Sequence, residues 1–148
     1  MTPPTAKPRV LLAEDNLDHA FFTTRAFREV HGTELEMVTV TDGEQLLDYL
    51  HQRGEYSDVA RPHLIVLDLK MPKKGGLEVL EELSRDDRLR SIPVVVLSSS
   101  DRPEDVTQSY ARGANSYVTK PATASGLRDG VSALARYWMD LASLPEPA

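Results

Sequence analysis

Short apolar segments alternate with longer amphipathic segments along the whole chain. The apolar segments are Val10–Ala13, Leu35–Val40, Leu64–Leu67, Ile92–Leu97 and Ser116–Thr119. Nearly continuous apolar strands are typical of a parallel sheet that is buried on both faces. Regular alternation of such strands with helices predicts an α/β fold in which helices cover both faces of the sheet.

The segments between these strands carry apolar residues at helical spacing. Gly32 is expected to end the first helix, and Gln52–Pro62 is polar and loop-like. The last helix is predicted to place its apolar residues on one face. The helical segments are Leu17–Val30, a stretch with Leu46, Leu47 and Leu50, a stretch with Leu77, Leu80 and Leu83, Glu104–Arg112, and a stretch with Leu127, Val131, Leu134, Trp138 and Leu141.

The chain length and composition favour one globular domain. The sequence has 148 residues and a formal net charge of −6, which argues against a nucleic-acid surface. It has no cysteine, which excludes disulfides and thiolate metal sites and suits a cytoplasmic protein. The longest apolar runs are too short to span a membrane. We predict a disordered tail at residues 1–8, a domain at 9–142 and a C-terminal tail at 143–148, with no output module after the last helix.

Polar residues follow four of the five predicted strands. Glu14 and Asp15 follow the first strand, Asp68 the third, Ser98 the fourth and Lys120 the fifth. Ligands of open parallel sheets bind beyond the carboxyl ends of the strands. Taken singly, Asp15 has an ordinary reading as a helix cap, Ser98 as a loop serine and Lys120 as part of a surface turn. Together these residues indicate one site.

Clustered carboxylates repel one another and would raise each other's pKa. Mg²⁺ relieves this repulsion, since it prefers oxygen ligands and commonly binds one or two carboxylates plus a phosphate. Lys120 adds a further positive charge, so the site can receive a phosphoryl group, with a carboxylate as nucleophile. No glycine-rich phosphate loop is present. The phosphoryl donor is therefore expected to be another protein.

Four motifs carry a resemblance to a known family. They are VLLAEDN (Val10–Asn16), LIVLDLKMPKKGG (Leu64–Gly76), VVVLSSS (Val94–Ser100) and GANSYVTKP (Gly113–Pro121). The chain resembles the receiver domain of two-component response regulators from about Arg9 to Leu141. The resemblance implies a flavodoxin-like (βα)5 fold, a doubly wound five-stranded parallel sheet with strand order 2-1-3-4-5.

The resemblance also implies a metal site around the phosphoacceptor. Asp68 corresponds to the phosphorylated aspartate and contributes to Mg²⁺ binding. Asp15 corresponds to a direct Mg²⁺ ligand and Glu14 to an acid that acts through water. Lys70 corresponds to the residue whose backbone carbonyl completes the site.

Further positions match the switch and the phosphate-binding group of the family. Ser98, with Ser99 beside it, matches the switch hydroxyl, and Lys120 matches the phosphate-binding lysine. Tyr117 matches the switch aromatic, although an aromatic residue in a strand is also an ordinary core residue. The resemblance implies a cis bond between Lys120 and Pro121. Gly76 matches the glycine that opens the third helix.

Several residues depart from the common pattern of the family. Glu14 replaces an aspartate and Ser98 replaces the commoner threonine, so the charge and the hydroxyl are kept. Gly75 stands where many relatives have an acid. Lys70 and Ser100 occupy positions that tune dephosphorylation in the family, and the direction of their effect stays open.

Within the family, the chain most resembles the stand-alone regulators paired with bacterial phytochromes. The features are the long loop Gln52–Pro62, the LDLKMPKKGGLEVL and DDRLRSIPVVVLSSS stretches, and the pair Tyr137–Trp138. The resemblance implies a bacteriophytochrome histidine kinase as partner and a homodimer through the helix 4–strand 5–helix 5 face. The alternative for Trp138 and Leu141 is that they only cap the core of the monomer. The downstream partner protein is unknown, and neither nucleic acid nor membrane is expected as a partner.

Two other function classes share parts of this pattern. A receiver-like scaffold that is not phosphorylated is disfavoured by the complete set of Asp68, Ser98 and Lys120 with the acidic pair. A Mg²⁺-dependent phosphohydrolase needs a second acid two residues after the nucleophile, where Lys70 stands. The chain is therefore predicted to be a phosphoacceptor signalling protein rather than an enzyme, with slow loss of its own phosphate. The four histidines, His19, His31, His51 and His63, show no metal-ligand spacing and are interpreted as surface or loop residues.

Overall fold

Five parallel strands form one sheet in the order β2-β1-β3-β4-β5 in the computed structural model, which describes residues 7–32 and 34–148. Both the fold class and the strand order predicted from the sequence are confirmed. Most of the predicted N-terminal tail lies outside the described residues. The strands are β1 (Arg9–Ala13), β2 (Glu36–Val40), β3 (Leu64–Leu67), β4 (Val94–Ser98) and β5 (Ser116–Thr119).

Three of the described helices begin at residues whose side chains satisfy free backbone N–H groups. The side chains of Asn16, Asp42 and Thr123 accept hydrogen bonds from backbone N–H groups three residues further on, which is the usual N-cap geometry. Gly32, with a φ of 92°, ends the first helix as predicted. The helices are α1 (Leu17–His31), α2 (Gly43–Leu50), α3 (Gly76–Ser84), α4 (Pro103–Ala111) and α5 (Ala124–Ala135), with a 3₁₀ turn at Gly54–Tyr56.

The sheet separates two hydrophobic clusters because successive strand residues point to opposite faces. On β1, Leu11 and Ala13 pack with residues of α2 and α3, whereas Val10 and Leu12 pack with residues of α1 and α5. All of the residues from Val10 to Ala13 are fully or almost fully buried. This burial on both faces holds β1 and β3 rigidly at the centre of the sheet, beneath the polar residues that follow them.

The C-terminal end of the last helix differs from the sequence prediction. Leu127, Val131 and Leu134 are buried as expected, and Trp138 packs against the same cluster. Leu141 is 78% exposed, so it does not cap the core. The reason is that the helix continues from Arg136 to Leu141 with π geometry, whose wider turns change the direction of successive side chains.

The segment after this π-helical turn runs back toward the loop before β3. Arg61 Nη1 donates a hydrogen bond of 3.1 Å to the backbone oxygen of Ala148. His63 Nε2 lies 3.6 Å from a carboxylate oxygen of Glu146.

Among the described residues, no helix combines the length and the apolar character needed to cross a membrane.

Candidate functional site

The carboxyl ends of the central strands bring Glu14 and Asp68 together. The backbone N–H of Asp68 donates to the carbonyl of Ala13 at 3.0 Å, which continues the β1–β3 ladder one residue beyond the strands. Glu14, the next residue after Ala13, is 2% exposed and Asp68 is also buried. Two acids are thus held next to each other by the register of the two central strands.

Lys120 adds a buried cation to this acid pair. Its backbone N–H donates to the carbonyl of Ser98 at 2.7 Å, which fixes the position of the residue after β5. Its Nζ lies 2.5 Å from Glu14 Oε1 and 3.0 Å from Asp68 Oδ2. The ion pair therefore joins residues that follow three different strands.

Glu14 has an unusually high pKa for a glutamate. Loss of hydration, reinforced by the neighbouring Asp68 carboxylate and opposed by Lys120, raises the pKa of Glu14 to about 7. Without a metal ion, Glu14 therefore binds a proton for a substantial part of the time near neutral pH. A divalent cation at this point would favour its ionised form.

The predicted metal ligands form one cluster. Carboxylate oxygens of Glu14, Asp15 and Asp68 lie within 4.8 Å of one another. Asp15 is exposed, whereas Glu14 and Asp68 are buried, so the cluster opens to solvent on the Asp15 side. A set of oxygen donors from carboxylates fits a hard divalent cation such as Mg²⁺ or Mn²⁺. The backbone N–H of Lys70 donates to Asp68 Oδ1 at 3.1 Å and places Lys70 beside this cluster.

The polar residues after β4 connect the site to β5. Ser98 is fully buried and its hydroxyl accepts a hydrogen bond of 3.3 Å from the backbone N–H of Ser100, whereas Ser99 is exposed. Ser100 Oγ in turn donates to Asp105 on α4 at 2.5 Å. The hydroxyl of Tyr117 donates to the backbone oxygen of Ser100. The ring of Tyr117 therefore lies against the β4–α4 loop and packs against the hydrophobic core.

The prediction of a cis bond between Lys120 and Pro121 is wrong. Every peptide bond among residues 7–32 and 34–148 is trans. The trans form is the ordinary preference of bonds that precede proline, by about 0.5–1 kcal/mol. In the structure the trans bond is compatible with the Lys120–Ser98 backbone contact and with both ion pairs of Lys120.

Gly76 occupies a place that a larger residue would disturb. It is the first residue of α3, and its backbone N–H donates to the carbonyl of Leu69 at 2.9 Å. A Cβ atom at this position would lie 2.7 Å from the backbone oxygen of Asp68 and 2.7 Å from Leu69 Cα. The absence of a side chain thus lets α3 begin directly against the loop after β3 that contains Asp68 and Leu69.

His19 is a member of the site that the sequence interpretation missed. Its Nδ1 lies 3.0 Å from Lys120 Nζ, and its side chain is 35% exposed. The available signal was Asn16, which caps α1 by accepting from the backbone N–H of His19 at 3.1 Å. That cap places the third residue of the helix directly over the end of β1.

Comparison with known proteins agrees with the geometry. Residues 10–132 match the family model of the response regulator receiver domain. The chain belongs to this family. It is 37% identical over 139 residues to the response regulator Rcp1 of Synechocystis, covering 92% of each chain. It is 39% identical to the probable methanogenesis regulatory protein FilR2 of Methanothrix harundinacea, covering 94% of this chain and 88% of FilR2.

Solved structures of receiver proteins share the fold closely. The phosphorylated cyanobacterial phytochrome response regulator RcpA superposes with a TM-score of 0.90 at 41% identity, covering 95% of this chain and 99% of RcpA. The Mn²⁺-bound form of Rcp1 superposes with a TM-score of 0.84 at 37% identity, covering 93% of this chain and 99% of Rcp1. This receiver protein is thus related to phytochrome response regulators over nearly their whole lengths, and one of these relatives binds a divalent metal.

Proposed function

We propose that this response regulator accepts a phosphoryl group on Asp68 from a sensor histidine kinase in a Mg²⁺-dependent reaction. The observation that carries the proposal is the buried Lys120 ammonium between Asp68 and Glu14, next to a cluster of three carboxylates. The domain responsible spans residues 9–142, between tails at 1–8 and 143–148. We also propose a cytoplasmic location, since the kinase that phosphorylates the protein would act there.

The carboxylate of Asp68 is held in one orientation by a contact at each of its two oxygens. Lys70 N–H contacts one carboxylate oxygen and Lys120 Nζ contacts the other, so the carboxylate cannot rotate freely. In the transfer, the P–N bond of a kinase phosphohistidine breaks and a P–O bond to Asp68 forms, while the released imidazole takes up a proton. Asp15, Asp68 and the Lys70 carbonyl would hold Mg²⁺, which would neutralise charge on the carboxylates and the phosphoryl oxygens.

Lys120 and Ser98 are the groups that receive the new phosphoryl oxygens. Lys120 supplies a positive charge in a site from which water is largely excluded, where a fixed charge acts strongly. Ser98 offers a neutral hydroxyl whose present partner is the backbone N–H of Ser100. When the Ser98 hydroxyl turns to the phosphoryl group, the backbone N–H of Ser100 loses its acceptor. The loop that carries Ser100 and contacts Tyr117 is then free to move, which produces the conformational signal.

We further propose that a bacteriophytochrome is the kinase and that the signal passes through protein contacts of a homodimer. The kinase proposal is supported by the similarity to the phytochrome regulator RcpA. The dimer proposal is supported by exposed apolar residues on α4 and at the end of the last helix. These are Tyr110, Tyr137 and Leu141, with exposed fractions of 49%, 50% and 78%.

The acceptor assignment is tested by Asp68→Asn with the purified kinase and radiolabelled ATP. We expect label on the wild-type protein and on Asp58→Asn, a control acid in the exposed loop before β3, and none on Asp68→Asn. Label on Asp68→Asn at the wild-type level would contradict the assignment. Transfer from a panel of kinases, including one that is not light-regulated, tests the identity of the donor.

The metal assignment is tested separately by calorimetric titration with Mg²⁺. We expect Asp15→Asn to weaken Mg²⁺ binding at least tenfold, since a direct charged ligand is lost. Asp18→Asn, an acid in the first turn of α1 outside the metal cluster, is the matched control. Equal Mg²⁺ affinity of Asp15→Asn and the wild type would exclude the ligand role.

A further inference from the structure

The Lys120 ammonium has one acceptor for each of its three N–H groups. Two acceptors are carboxylate oxygens, Glu14 Oε1 and Asp68 Oδ2, and the third is Nδ1 of His19 at 3.0 Å. The side chain of Lys120 is 4% exposed, so water has little access to it. The direction of the ammonium is therefore set by three protein groups from three segments of the chain.

His19 differs from the other two acceptors in charge and in location. It is a ring on the first turn of α1 and lies between Lys120 and solvent. Its Nδ1 faces the Lys120 ammonium at 3.0 Å, and an ammonium can only donate, so this nitrogen accepts a hydrogen bond and carries no proton. A neutral ring that accepts through Nδ1 carries its proton on Nε2. It is thus an uncharged acceptor, and its Nδ1 also lies 3.9 Å from Glu14 Oε1.

We propose that His19 is a positioning residue that holds the Lys120 ammonium in place for phosphorylation of Asp68. The inference rests on the proposed function and adds to it a residue outside the motifs of the family. His19 keeps the third N–H of Lys120 directed toward the open side of the site. When the phosphoryl group arrives, this N–H leaves the neutral imidazole and donates a hydrogen bond to a charged phosphoryl oxygen instead.

The exchange follows from the relative strength of the three contacts. Asp68 and, when ionised, Glu14 attract the ammonium as opposite charges, whereas His19 offers it only a neutral acceptor. The bond to His19 is therefore the one that the ammonium gives up at the lowest cost. Without His19, the ammonium loses its third protein partner, and its Nζ is drawn toward Glu14 and Asp68 and away from the incoming group.

Two amide variants test whether the position of the acceptor atom matters, since both replace the ring with a polar side chain. In His19→Asn, the amide oxygen is separated from Cβ by the same number of bonds as Nδ1, so it can accept from Lys120. In His19→Gln, the amide oxygen corresponds instead to the position of Nε2. His19→Ala removes the acceptor, and His31→Ala removes a histidine at the opposite end of α1 that pairs with Asp140.

The first readout is the ¹H–¹⁵N signal of the Lys120 ammonium in metal-free protein labelled with ¹⁵N-lysine, assigned by its loss in Lys120→Arg. We expect slow solvent exchange in the wild type, His31→Ala and His19→Asn. We expect the exchange rate to rise about tenfold or more in His19→Ala and His19→Gln, as expected when one hydrogen bond of a charged group is lost. An unchanged exchange rate in His19→Ala overturns the inference, whatever the result of the phosphorylation assays.

The second readout is the rate of Asp68 phosphorylation by acetyl phosphate at saturating Mg²⁺. We expect a loss of about tenfold in His19→Ala and His19→Gln, recovery to within about threefold in His19→Asn, and an unchanged Mg²⁺ affinity in all three. Equal rates in the Asn and Gln variants overturn the positioning role. Failure of the wild type to become phosphorylated contradicts the proposed function instead, so the two failures are distinguishable.

Discussion

The hydroxyl of Tyr117 donates a hydrogen bond of 2.7 Å to the backbone oxygen of Ser100. The N–H of the same Ser100 donates to the hydroxyl of Ser98, and the side chain of Ser100 holds Asp105 on α4. Ser100 thus contacts Ser98 on one side and residues of β5 and α4 on the other. We expect a change at Ser98 to reach both elements through Ser100.

Tyr117→Phe removes the donor of this contact and keeps the ring. We expect the free energy of unfolding to fall by about 0.5–1.5 kcal/mol, because one partly buried hydrogen bond is lost. We expect the initial rate of phosphorylation by acetyl phosphate to remain unchanged, since Asp68 and Lys120 are untouched. Because the signal is proposed to pass through the homodimer, we expect phosphorylation to change the sedimentation of the wild type but not that of Tyr117→Phe. Urea unfolding and analytical ultracentrifugation measure these effects.

Tyr56→Phe is the control for this variant, since Tyr56 packs on Tyr49 beside the loop after α2. It should keep the full response to phosphorylation. A normal response in Tyr117→Phe would show that the hydroxyl contact does not carry the signal.

The raised pKa of Glu14 predicts a pH dependence of stability in the absence of divalent metal. The ordinary value for this carboxyl is 4.5 and the folded protein raises it to about 7. Between these values the folded state binds more protons than the unfolded state, so the contribution of Glu14 to stability falls as pH rises from about 4.5 to about 7. Urea unfolding in EDTA across this range measures the slope.

Glu14→Gln removes this titration and should flatten the pH dependence over the same range. Added Mg²⁺ should also reduce it in the wild type, because the cation favours the ionised carboxyl. A wild-type slope equal to that of Glu14→Gln in EDTA would contradict the predicted titration.

The close approach of α3 to the loop after β3 predicts opposite effects for two glycine substitutions. Gly76→Ala places a Cβ 2.7 Å from the backbone oxygen of Asp68, so the loop or the helix must move. We expect a loss of about 1–3 kcal/mol in the free energy of unfolding and a slower phosphorylation of Asp68. Both are measured on the purified variant, by urea unfolding and with acetyl phosphate.

Gly130→Ala is the matched substitution within α5, where a new Cβ meets no atom within 4 Å. Alanine is the better helix former, so this variant should gain about 0.5–1 kcal/mol. Loss of stability by equal amounts in the two variants would show that the contact at Gly76 is not responsible.

Leu141, which is exposed at the end of the π-helical turn, predicts a site of self-association. We expect Leu141→Ser to shift the proposed homodimer toward monomer in sedimentation equilibrium at micromolar concentration, since an apolar contact at the interface is lost. Leu17→Ser is the control, because Leu17 is 73% exposed and lies at the start of α1. A wild type that is monomeric both with and without acetyl phosphate would overturn the dimer proposal.

The sequence predicted the central part of the site because parallel strands bring their carboxyl ends to one edge of the sheet. Asp68 and Lys120 follow strands that were recognisable from their apolar residues, and the structure places them 3.0 Å apart. The cis bond before Pro121 came from the resemblance alone, and the structure has a trans bond. The exposure of Leu141 was missed because helical periodicity does not reveal a change to π geometry.

Local periodicity and the order of polar residues in the sequence thus determined the fold class, the position of the acidic cluster and the family. Only the tertiary structure decided which side chains share the Lys120 ammonium, that Glu14 is buried enough to bind a proton near neutral pH, and that His19 belongs to the site. Strand and helix patterns repeat over a few residues and can be seen in the sequence. Hydrogen-bond partners, by contrast, depend on distances between segments as far apart as residues 19 and 120, which are set by the packing of the whole domain.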